Sequence, residues 1–332
     1  MEKNKILFLH AINRSFIEID YQILSEKYYV KNLIINLRNI KNLIKSFIFT
    51  FNYSIIYIWF ASPIFLPLVI FSKMLGKKRV VVVGGFEVAD AKYKKYKYGL
   101  RNRLFQKYLV SLILNNSTAV FPVSNYTKKG VLSFSKPKNI KTIYNGINIE
   151  KFNKIKGIEK ENIVITVASD VGKQYYIKGL GTFVDIAKKM PKTKFLLIGK
   201  CDTKHKLVKK ILKSKPKNLT VLGFLNQDVL IKLYSKAKVY AQLSLHESFG
   251  LALTEAMLCE CVPVIANTSA LPEIIGKVGY KVKYNDIEDS IKKISKALNS
   301  SKEHQKQARE RIIKNFPLTR RKQEILRFIN NL

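Results

Sequence analysis

Residues 239–266 read VYAQLSLHESFGLALTEAMLCECVPVIA, and this stretch decides the fold. Short apolar runs at 239–243 and 262–266 predict two strands, and the longer pattern at 249–259 predicts a helix between them. A strand, a helix and a second strand in this order predict a βαβ unit, in which the two strands are parallel and the helix packs on the sheet.

The same alternation continues along the chain. Further strand-like runs lie at 5–10, 33–36, 55–60, 79–83, 119–123, 141–144, 163–168, 194–199 and 219–222. Helical patterns lie at 40–50, 64–75, 101–115, 178–190, 204–214, 226–237 and 285–299. The four valines at 80–83 leave no polar face, which is typical of a strand buried inside a parallel sheet. The alternation predicts an α/β protein with helices flanking parallel sheets.

Residues 146–157 indicate a domain boundary, because they are charged, contain two glycines and separate the sixth strand-like run from a fresh one. We predict two Rossmann-type domains, at residues 1–150 and 151–310. Ligands of open α/β sheets bind beyond the carboxyl ends of the strands, and domain interfaces are favoured pocket sites. The sequence therefore predicts a ligand site in a cleft between the two sheets.

The length and composition of the chain suit two domains, but its large positive charge requires an explanation. The 332 residues are 47% hydrophobic, enough for two cores, and carry a formal net charge of +37. Both halves are basic, so no single tail explains the excess. A membrane surface and a plain compositional bias explain it equally well, and nucleic acid ranks third because no recognition helix, zinc finger or RNA-binding signature is present. The basic, tyrosine-rich run 92–103 is interpreted either as a lipid-facing segment or as a solvated face.

Cysteines, histidines and apolar stretches narrow the class of protein. Three cysteines form no disulfide framework and indicate a reducing compartment, so we expect a cytoplasmic protein, with peripheral contact at the membrane as an alternative. Four scattered histidines make a metal site unexpected. The apolar stretch 55–71 is interrupted by Pro63 and Pro67, which predicts a strand, a turn and a helix in place of a membrane span.

The loop inside the opening stretch carries the candidate chemistry. The helix predicted to begin near Phe249 and Gly250 presents unpaired backbone N–H groups and a positive dipole end, a ready site for a phosphate or diphosphate. Glu247 lies just before the helix, and Glu255 lies about two turns into it. Either residue could be structural, as a capping acid or a solvated helix residue. Glu255 is nevertheless surrounded by apolar residues, where an acid is expected to have a partner.

This pattern resembles the retaining two-domain glycosyltransferases of family four. The resemblance rests on Glu247-x7-Glu255 with Phe249-Gly250-Leu251 inside it, and on the motifs at 263–266 and 271–273 that follow. It extends to segments at 82–89, 123–125, 144–148, 177–180, 218–225, 233–237 and 308–328. It implies a GT-B-like architecture, with the acceptor domain first and the donor domain second, and a closing C-terminal helix at 311–332 that packs back toward the first domain.

The resemblance also implies roles for individual residues. Glu255 would hold the donor ribose, Glu247 would contact the transferred sugar, and Lys178 would neutralise the diphosphate as it leaves. The other residues expected to bind the donor are Ser248, Phe249, Gly250, Leu251, Gly223 and Phe224. Residues expected on the acceptor side of the cleft are Gly84, Gly85, Glu87 and Asn145. The implied donor is a UDP- or GDP-sugar, the implied acceptor is a glycan or a lipid-linked molecule, and neither a metal nor a cofactor is expected.

The sequence departs from the family pattern at several positions. The arginine that usually precedes the Lys-Gly pair is missing, and Lys173 is the candidate for its charge. The first glycine-rich loop is absent, Glu87 stands where relatives often have Asp, and Glu260 stands where a glycine usually ends the motif helix. Two alternatives therefore stay open: a donor-binding but inactive partner subunit, and a basic nucleic-acid-binding protein on a Rossmann scaffold.

Overall fold

The computed structural model of the chain describes residues 5–36, 40–93 and 95–332, so Lys94 of the basic run lies outside the described residues. The chain forms two compact units. The first takes in Met1–Ala91, Lys97–Gly146 and Thr319–Leu332, and the second takes in Lys92–Tyr96 and Ile147–Leu318.

The first unit is built on a five-stranded parallel sheet of order β2-β1-β3-β4-β7. Its strands are β1 (Lys5–His10), β2 (Tyr29–Ile34), β3 (Ile55–Trp59), β4 (Lys78–Val83) and β7 (Ala119–Pro122). Its helices are α1 (Ser15–Ser25), α2 (Ile40–Asn52), α3 (Leu66–Met74), α4 (Leu104–Asn115) and α5 (Asn125–Leu132). The short strands β5 (Ala91–Tyr93) and β6 (Tyr96–Tyr98) form a separate two-stranded sheet.

The predicted strand at 141–144 is wrong. The chain runs beside β7 there, with hydrogen bonds from Lys141 N to Val120 O (3.0 Å) and from Ile143 N to Pro122 O (3.0 Å). The Arg321 guanidinium takes the carbonyls of Ile143 (3.0 Å) and Tyr144 (2.8 Å) as acceptors, so these groups are not available for a strand ladder. The stretch 55–71 folds as predicted, into β3, a 3-10 turn at Pro63–Phe65 and then α3.

The second unit contains a six-stranded parallel sheet of order β10-β9-β8-β11-β12-β13. Its strands are β8 (Glu161–Asp170), β9 (Lys194–Lys200), β10 (Leu219–Leu222), β11 (Ala237–Gln242), β12 (Val262–Ala266) and β13 (Tyr280–Val282). Its helices are α6 (Leu180–Lys189), α7 (Lys206–Ser214), α8 (Gln227–Lys236), α9 (Leu251–Leu258), α10 (Leu271–Ile275), α11 (Ile287–Leu298) and α12 (Lys302–Asn315). The opening stretch thus forms β11, α9 and β12 with parallel strands, as predicted.

The last helix, α13 (Leu318–Asn330), is separated from α12 by Phe316 and Pro317. Proline cannot continue a helix because its ring clashes with the preceding turn and its nitrogen has no hydrogen to donate. Residues from Thr319 onward belong to the first unit. There Arg321 forms a buried ion pair with Asp20 of α1 (Nε to Oδ1, 2.6 Å).

Within the described residues, no helix combines the length and the apolar composition that crossing a membrane requires.

Candidate functional site

The loop that follows β11 is held by the loop that follows β12. The amide of Glu247 donates to Ser269 Oγ (2.8 Å), and the amide of Ala270 donates to the Glu247 carbonyl (3.1 Å). Thr268 Oγ1 donates to the Ser244 carbonyl (2.7 Å). Since β11 and β12 are adjacent and parallel, both loops emerge at the carboxyl edge of the sheet, where ligands of such sheets bind.

Lys178 reaches the same edge from the segment before α6. Its ammonium forms an ion pair with Glu247 Oε1, and both side chains are largely buried. The Leu245 amide donates to the Ile177 carbonyl (2.8 Å), which ties the two segments together. Gly179 has a φ of 62°, and a Cβ there would lie 2.1 Å from the Leu243 carbonyl oxygen. Only glycine permits this approach, so the Lys178–Gly179 pair is required for Lys178 to reach Glu247.

A chain of buried polar groups supports the Glu247 carboxylate. Tyr240 OH donates to Gln242 Oε1 (3.0 Å), and Gln242 Nε2 donates to Glu247 Oε1 (3.0 Å) and Ser244 Oγ (2.6 Å). The sequence analysis did not single out Gln242, which lies inside the predicted strand 239–243, or Ser244, which follows directly after it. Polar residues at the carboxyl end of an otherwise apolar strand were the signal that could have identified them.

His246 precedes Glu247 and is buried. Burial lowers the pKa of its imidazole to about 4, against the opposing effect of the Glu247 carboxylate. The ring is therefore neutral at physiological pH. Its Nε2 lies 3.4 Å from Ser248 Oγ, so it can fix the orientation of that hydroxyl.

Helix α9 begins directly after this loop. Gly250 occupies the N-cap of α9 with φ 98° and ψ 60°, a left-handed conformation that residues other than glycine rarely adopt. Phe249 is buried and its ring packs against Phe316 at 5.4 Å, so only its backbone faces the loop. The amide groups of Leu251, Ala252 and Leu253 have no acceptor within the helix, because these residues form its first turn.

Glu255 lies one turn further along α9. Burial raises the pKa of its carboxyl to about 8, and the Lys151 ammonium lowers it in part. Within residues 5–36, 40–93 and 95–332, no group forms a hydrogen bond or an ion pair with the Glu255 carboxylate. A carboxyl group in this position is available to accept hydrogen bonds from a ligand.

The other residues predicted on the donor side lie further from the Lys178–Glu247 pair. Lys173 is 80% exposed and pairs with Asp170 (3.9 Å), so the structure does not bring it into contact with the Lys178–Glu247 pair. The Gly223 carbonyl accepts from the Gly199 amide (3.3 Å) just beyond β10. Phe224, which follows it, is 81% exposed and can stack against a planar ligand.

The predicted acceptor-side residues all lie in the first unit. Glu87 is buried, and its carboxylate accepts from the amides of Gly84 (2.9 Å) and Gly85 (2.9 Å). Burial raises the pKa of the Glu87 carboxyl, while these amides favour its ionised form. Glu87 thereby fixes the loop after β4. Asn145 is buried, and within the described part of the chain its Oδ1 has no hydrogen-bond partner.

The second unit thus gathers complementary groups at one edge of its sheet. The first turn of α9 and Lys178 offer positive potential, Glu247 and Gln242 offer oriented polar groups, and Glu255 offers an acceptor about one turn into α9. This arrangement can bind an anion next to hydroxyl groups. Among the residues that the structure describes, no group of three or more His, Cys, Asp and Glu side chains is placed to hold a metal ion.

Two family models match the chain. The model described as glycosyl transferases group 1 matches residues 148–315, which include Lys178, Glu247 and Glu255. The model described as glycosyltransferase family 4 matches residues 13–151.

Among curated proteins, the serotype-specific mannosyltransferase WbdA of Escherichia coli is 40% identical over 80 residues. The matched segment covers 24% of this chain and 10% of WbdA, so this chain matches only about a tenth of the length of that relative.

Solved structures resemble the whole chain. Sucrose-phosphate synthase from Thermosynechococcus elongatus superimposes with a TM-score of 0.80 at 14% identity, covering 99% of each chain. Anabaena HepE in complex with UDP-glucose superimposes with a TM-score of 0.78 at 16% identity, covering 99% of this chain and 100% of HepE. At these identities the likeness shows the fold.

Proposed function

The chain belongs to the glycosyl transferases group 1 family and has the GT-B type of fold, and from this premise we propose that it moves a sugar from a nucleoside-diphosphate sugar to an acceptor. The observation that carries the proposal is the Lys178–Glu247 pair at the start of α9, with the unpartnered Glu255 carboxylate beyond it.

The start of α9 suits the donor diphosphate. The amides of Gly250, Leu251 and their neighbours would donate to the phosphate oxygens, and the helix dipole would favour the negative charge. Lys178 would exchange its partner Glu247 for a phosphate oxygen when the donor binds. Its ammonium then stabilises the charge that develops on the leaving nucleoside diphosphate. Since these groups already compensate the charge, we propose that the reaction needs no metal ion.

Glu247 would contact the transferred sugar and hold it in place. Its carboxylate is fixed by Gln242 and by Lys178, which orients it but also reduces its strength as a nucleophile. We therefore assign it a positioning and electrostatic role, in a reaction that retains the anomeric configuration of the donor sugar.

Glu255 and the end of β10 would hold the nucleoside. The Glu255 carboxylate would accept hydrogen bonds from the two ribose hydroxyls, and Phe224 together with the Gly223 backbone would meet the base. UDP and GDP are the proposed nucleotides. Support comes from HepE, which was solved with UDP-glucose, and from WbdA, which is named a mannosyltransferase. The proposed acceptor is a glycan or a lipid-linked molecule.

Calorimetry tests donor binding. UDP-glucose and GDP-mannose are titrated into the purified chain, and we expect one of them to bind. Hydrogen bonds from ribose favour the ionised Glu255 carboxylate, whose pKa is about 8 in the free protein. Binding near neutral pH should therefore release protons, and the measured enthalpy should differ between buffers of different ionisation enthalpy. Glu255→Ala should abolish binding, and undiminished binding by this variant would disprove the ribose role.

Turnover tests the transfer step. Lys178→Ala and Glu247→Gln should each lower kcat by about 100-fold or more, the size expected when a group that stabilises developing charge is removed. The matched control is Lys173→Ala, which removes an exposed cation of the same loop. We expect this variant to retain most of its activity. Donor binding without any transfer or hydrolysis would instead assign the chain as an inactive partner subunit.

A further inference from the structure

Exposed apolar side chains are concentrated on three helices of the first unit. On α2, Ile44, Ile48 and Phe51 follow one another at spacings of four and three, so they form one stripe along the helix. On α3, Ile70 and Met74 are exposed one turn apart.

Helix α4 continues the pattern with Leu104, Phe105 and Tyr108 in its first two turns. Their side chains point away from the core, because the buried residues of this helix are Val110, Ile113 and Leu114.

The three helices lie side by side on one face of the sheet. The ring of Phe71 on α3 contacts the α2 rings of Phe47 (5.2 Å) and Phe51 (5.6 Å). Lys73 Nζ on α3 donates to Oδ1 of Asn116 (2.8 Å) at the end of α4. All three helices share one hydrophobic core with the sheet. We call the side of this layer that is turned away from the sheet the outer helical face.

The degree of exposure is high for side chains of this size. Met74 is 80% exposed, Leu104 is 83% exposed and Phe105 is 73% exposed. Leaving a large apolar side chain in water forgoes about 1.5–3 kcal/mol relative to burying it. In the described part of the second unit, exposed apolar residues on helices stand singly, as Leu212 does on α7 and Val229 does on α8. A concentrated apolar surface of this kind marks an interaction site.

The charge around this surface has one sign. Residues 27–149 contain 21 Lys and Arg against two acidic residues, Glu87 and Asp90. Both acids are engaged within the unit: Glu87 binds the amides of Gly84 and Gly85, and Asp90 pairs with Arg101 (3.0 Å). Helix α2 therefore presents the exposed Lys41 and Lys45 beside its apolar stripe, and α2, α3 and α4 contain no acidic residue.

We infer that the outer helical face docks on a bilayer that contains anionic lipids. The exposed apolar side chains would enter the region between headgroups and acyl chains, and the lysines would meet the lipid phosphates, the combination that binds proteins to membrane surfaces. A second copy of the chain is a poor occupant, because two such cationic faces repel each other. Nucleic acid matches the charge but not the aliphatic Ile, Leu and Met side chains. The inference does not depend on the sugar-transfer proposal.

Sedimentation with vesicles tests the inference on the full chain. The protein is spun with vesicles of phosphatidylglycerol mixed with phosphatidylcholine, and with vesicles of phosphatidylcholine alone. We expect it to bind the anionic vesicles more tightly. Met74→Ser combined with Phe105→Ser should weaken this binding at least about tenfold, since two apolar side chains no longer enter the bilayer. Both residues are exposed, so the folded state is retained.

Two further variants separate the contribution of the lysines from that of the apolar side chains. Lys41→Gln with Lys45→Gln should weaken binding by about fivefold per lysine at low salt, and by much less at about 0.5 M salt, where the charges are screened. The matched control is Leu212→Ser, which removes an exposed apolar residue from the lysine-rich helix α7 of the second unit. It should bind vesicles as the native chain does.

Several outcomes would overturn the inference. They are absence of binding to anionic vesicles, equal weakening by Leu212→Ser, and vesicle binding that the Met74 and Phe105 substitutions leave unchanged. A dimer that dissociates on these substitutions would assign the face to a second copy, and an equal loss of affinity for an RNA duplex would assign it to nucleic acid. Donor calorimetry on the same variants keeps the two proposals distinct, because unchanged donor binding is expected throughout.

Discussion

At the scale of single residues, Glu255 links folding to pH. The carboxyl has an ordinary pKa of 4.5, and burial raises it to about 8 in the folded chain. Between pH 4.5 and about pH 8, the Glu255 carboxyl keeps its proton in the folded state but has lost it in the unfolded state. The free energy of unfolding therefore falls as the pH rises through this window, by up to about 1.4 kcal/mol for each pH unit.

Glu255→Gln removes this titration without changing the size of the side chain. We expect the variant to be more stable than the native chain at pH 8 and to differ little from it at pH 4. Urea unfolding at the two pH values measures the difference. Glu303→Gln, an exposed position on α12, serves as the control and should keep the native pH dependence. A Glu255→Gln chain with the native slope would contradict the role of burial at this site.

The sequence predicts Glu247, Lys178 and Glu255 as site residues but does not show how they are arranged. The ion pair joins positions 69 residues apart, and it depends on the close approach of Gly179 to Leu243. Patterns of residue type do not encode such an approach. Lys173 illustrates the limit, because its charge matched the expectation whereas the loop turns its side chain toward solvent.

At the scale of elements, the end of α9 carries a residue in an unusual conformation. Glu260 has a φ of 64°, at the position where the family pattern usually has a glycine. The amide of Cys261 donates to the Ala256 carbonyl (3.0 Å) and that of Glu260 to the Met257 carbonyl (2.9 Å), the pattern of a helix that ends in a left-handed residue. The Glu260 carboxylate pairs with Lys154 (3.3 Å).

Two substitutions at Glu260 separate the backbone strain from the ion pair. Both Glu260→Ala and Glu260→Gly lose the contact with Lys154, but only glycine adopts a positive φ at little cost. We expect the glycine variant to exceed the alanine variant in unfolding free energy by about 1 kcal/mol. Thermal or urea unfolding of the pair measures this difference. Equal stability of the two variants would show that the left-handed conformation carries no strain here.

Among the elements, the parallel strands were predicted best. Strands such as β4 and β12 are apolar on both faces, so their sequence pattern differs from that of every neighbouring segment. The helices α5 and α10 were missed because they are short, with 8 and 5 residues, and α1, with 11 residues, was missed although three of its apolar side chains are buried. The predicted strand at 141–144 failed because a side chain 177 to 178 residues away, Arg321, captures its carbonyl groups.

At the scale of the whole molecule, the chain returns to its first unit at the end. Residues 319–332 complete that unit, although the family match of the second unit runs to residue 315. Arg321 of α13 makes this attachment specific. Its guanidinium binds both carboxylate oxygens of Asp20 (2.6 and 2.7 Å), and Asp20 also accepts from Tyr57 OH and Trp59 Nε1 (both 2.9 Å).

The single tryptophan of the chain makes this attachment measurable. Trp59 is fully buried, and the Arg321 guanidinium lies 5.5 Å from its ring, so its fluorescence reports on the first unit. Arg321→Met leaves the buried Asp20 carboxylate without its cation, a change that costs about 3–5 kcal/mol. The urea midpoint of the Trp59 signal should fall accordingly. Arg320→Met, the adjacent control, removes an exposed pair with Glu324 (3.2 Å) and should cost less than about 1 kcal/mol. If both variants unfolded at the same urea concentration, the buried pair would not be what holds α13 to the first unit.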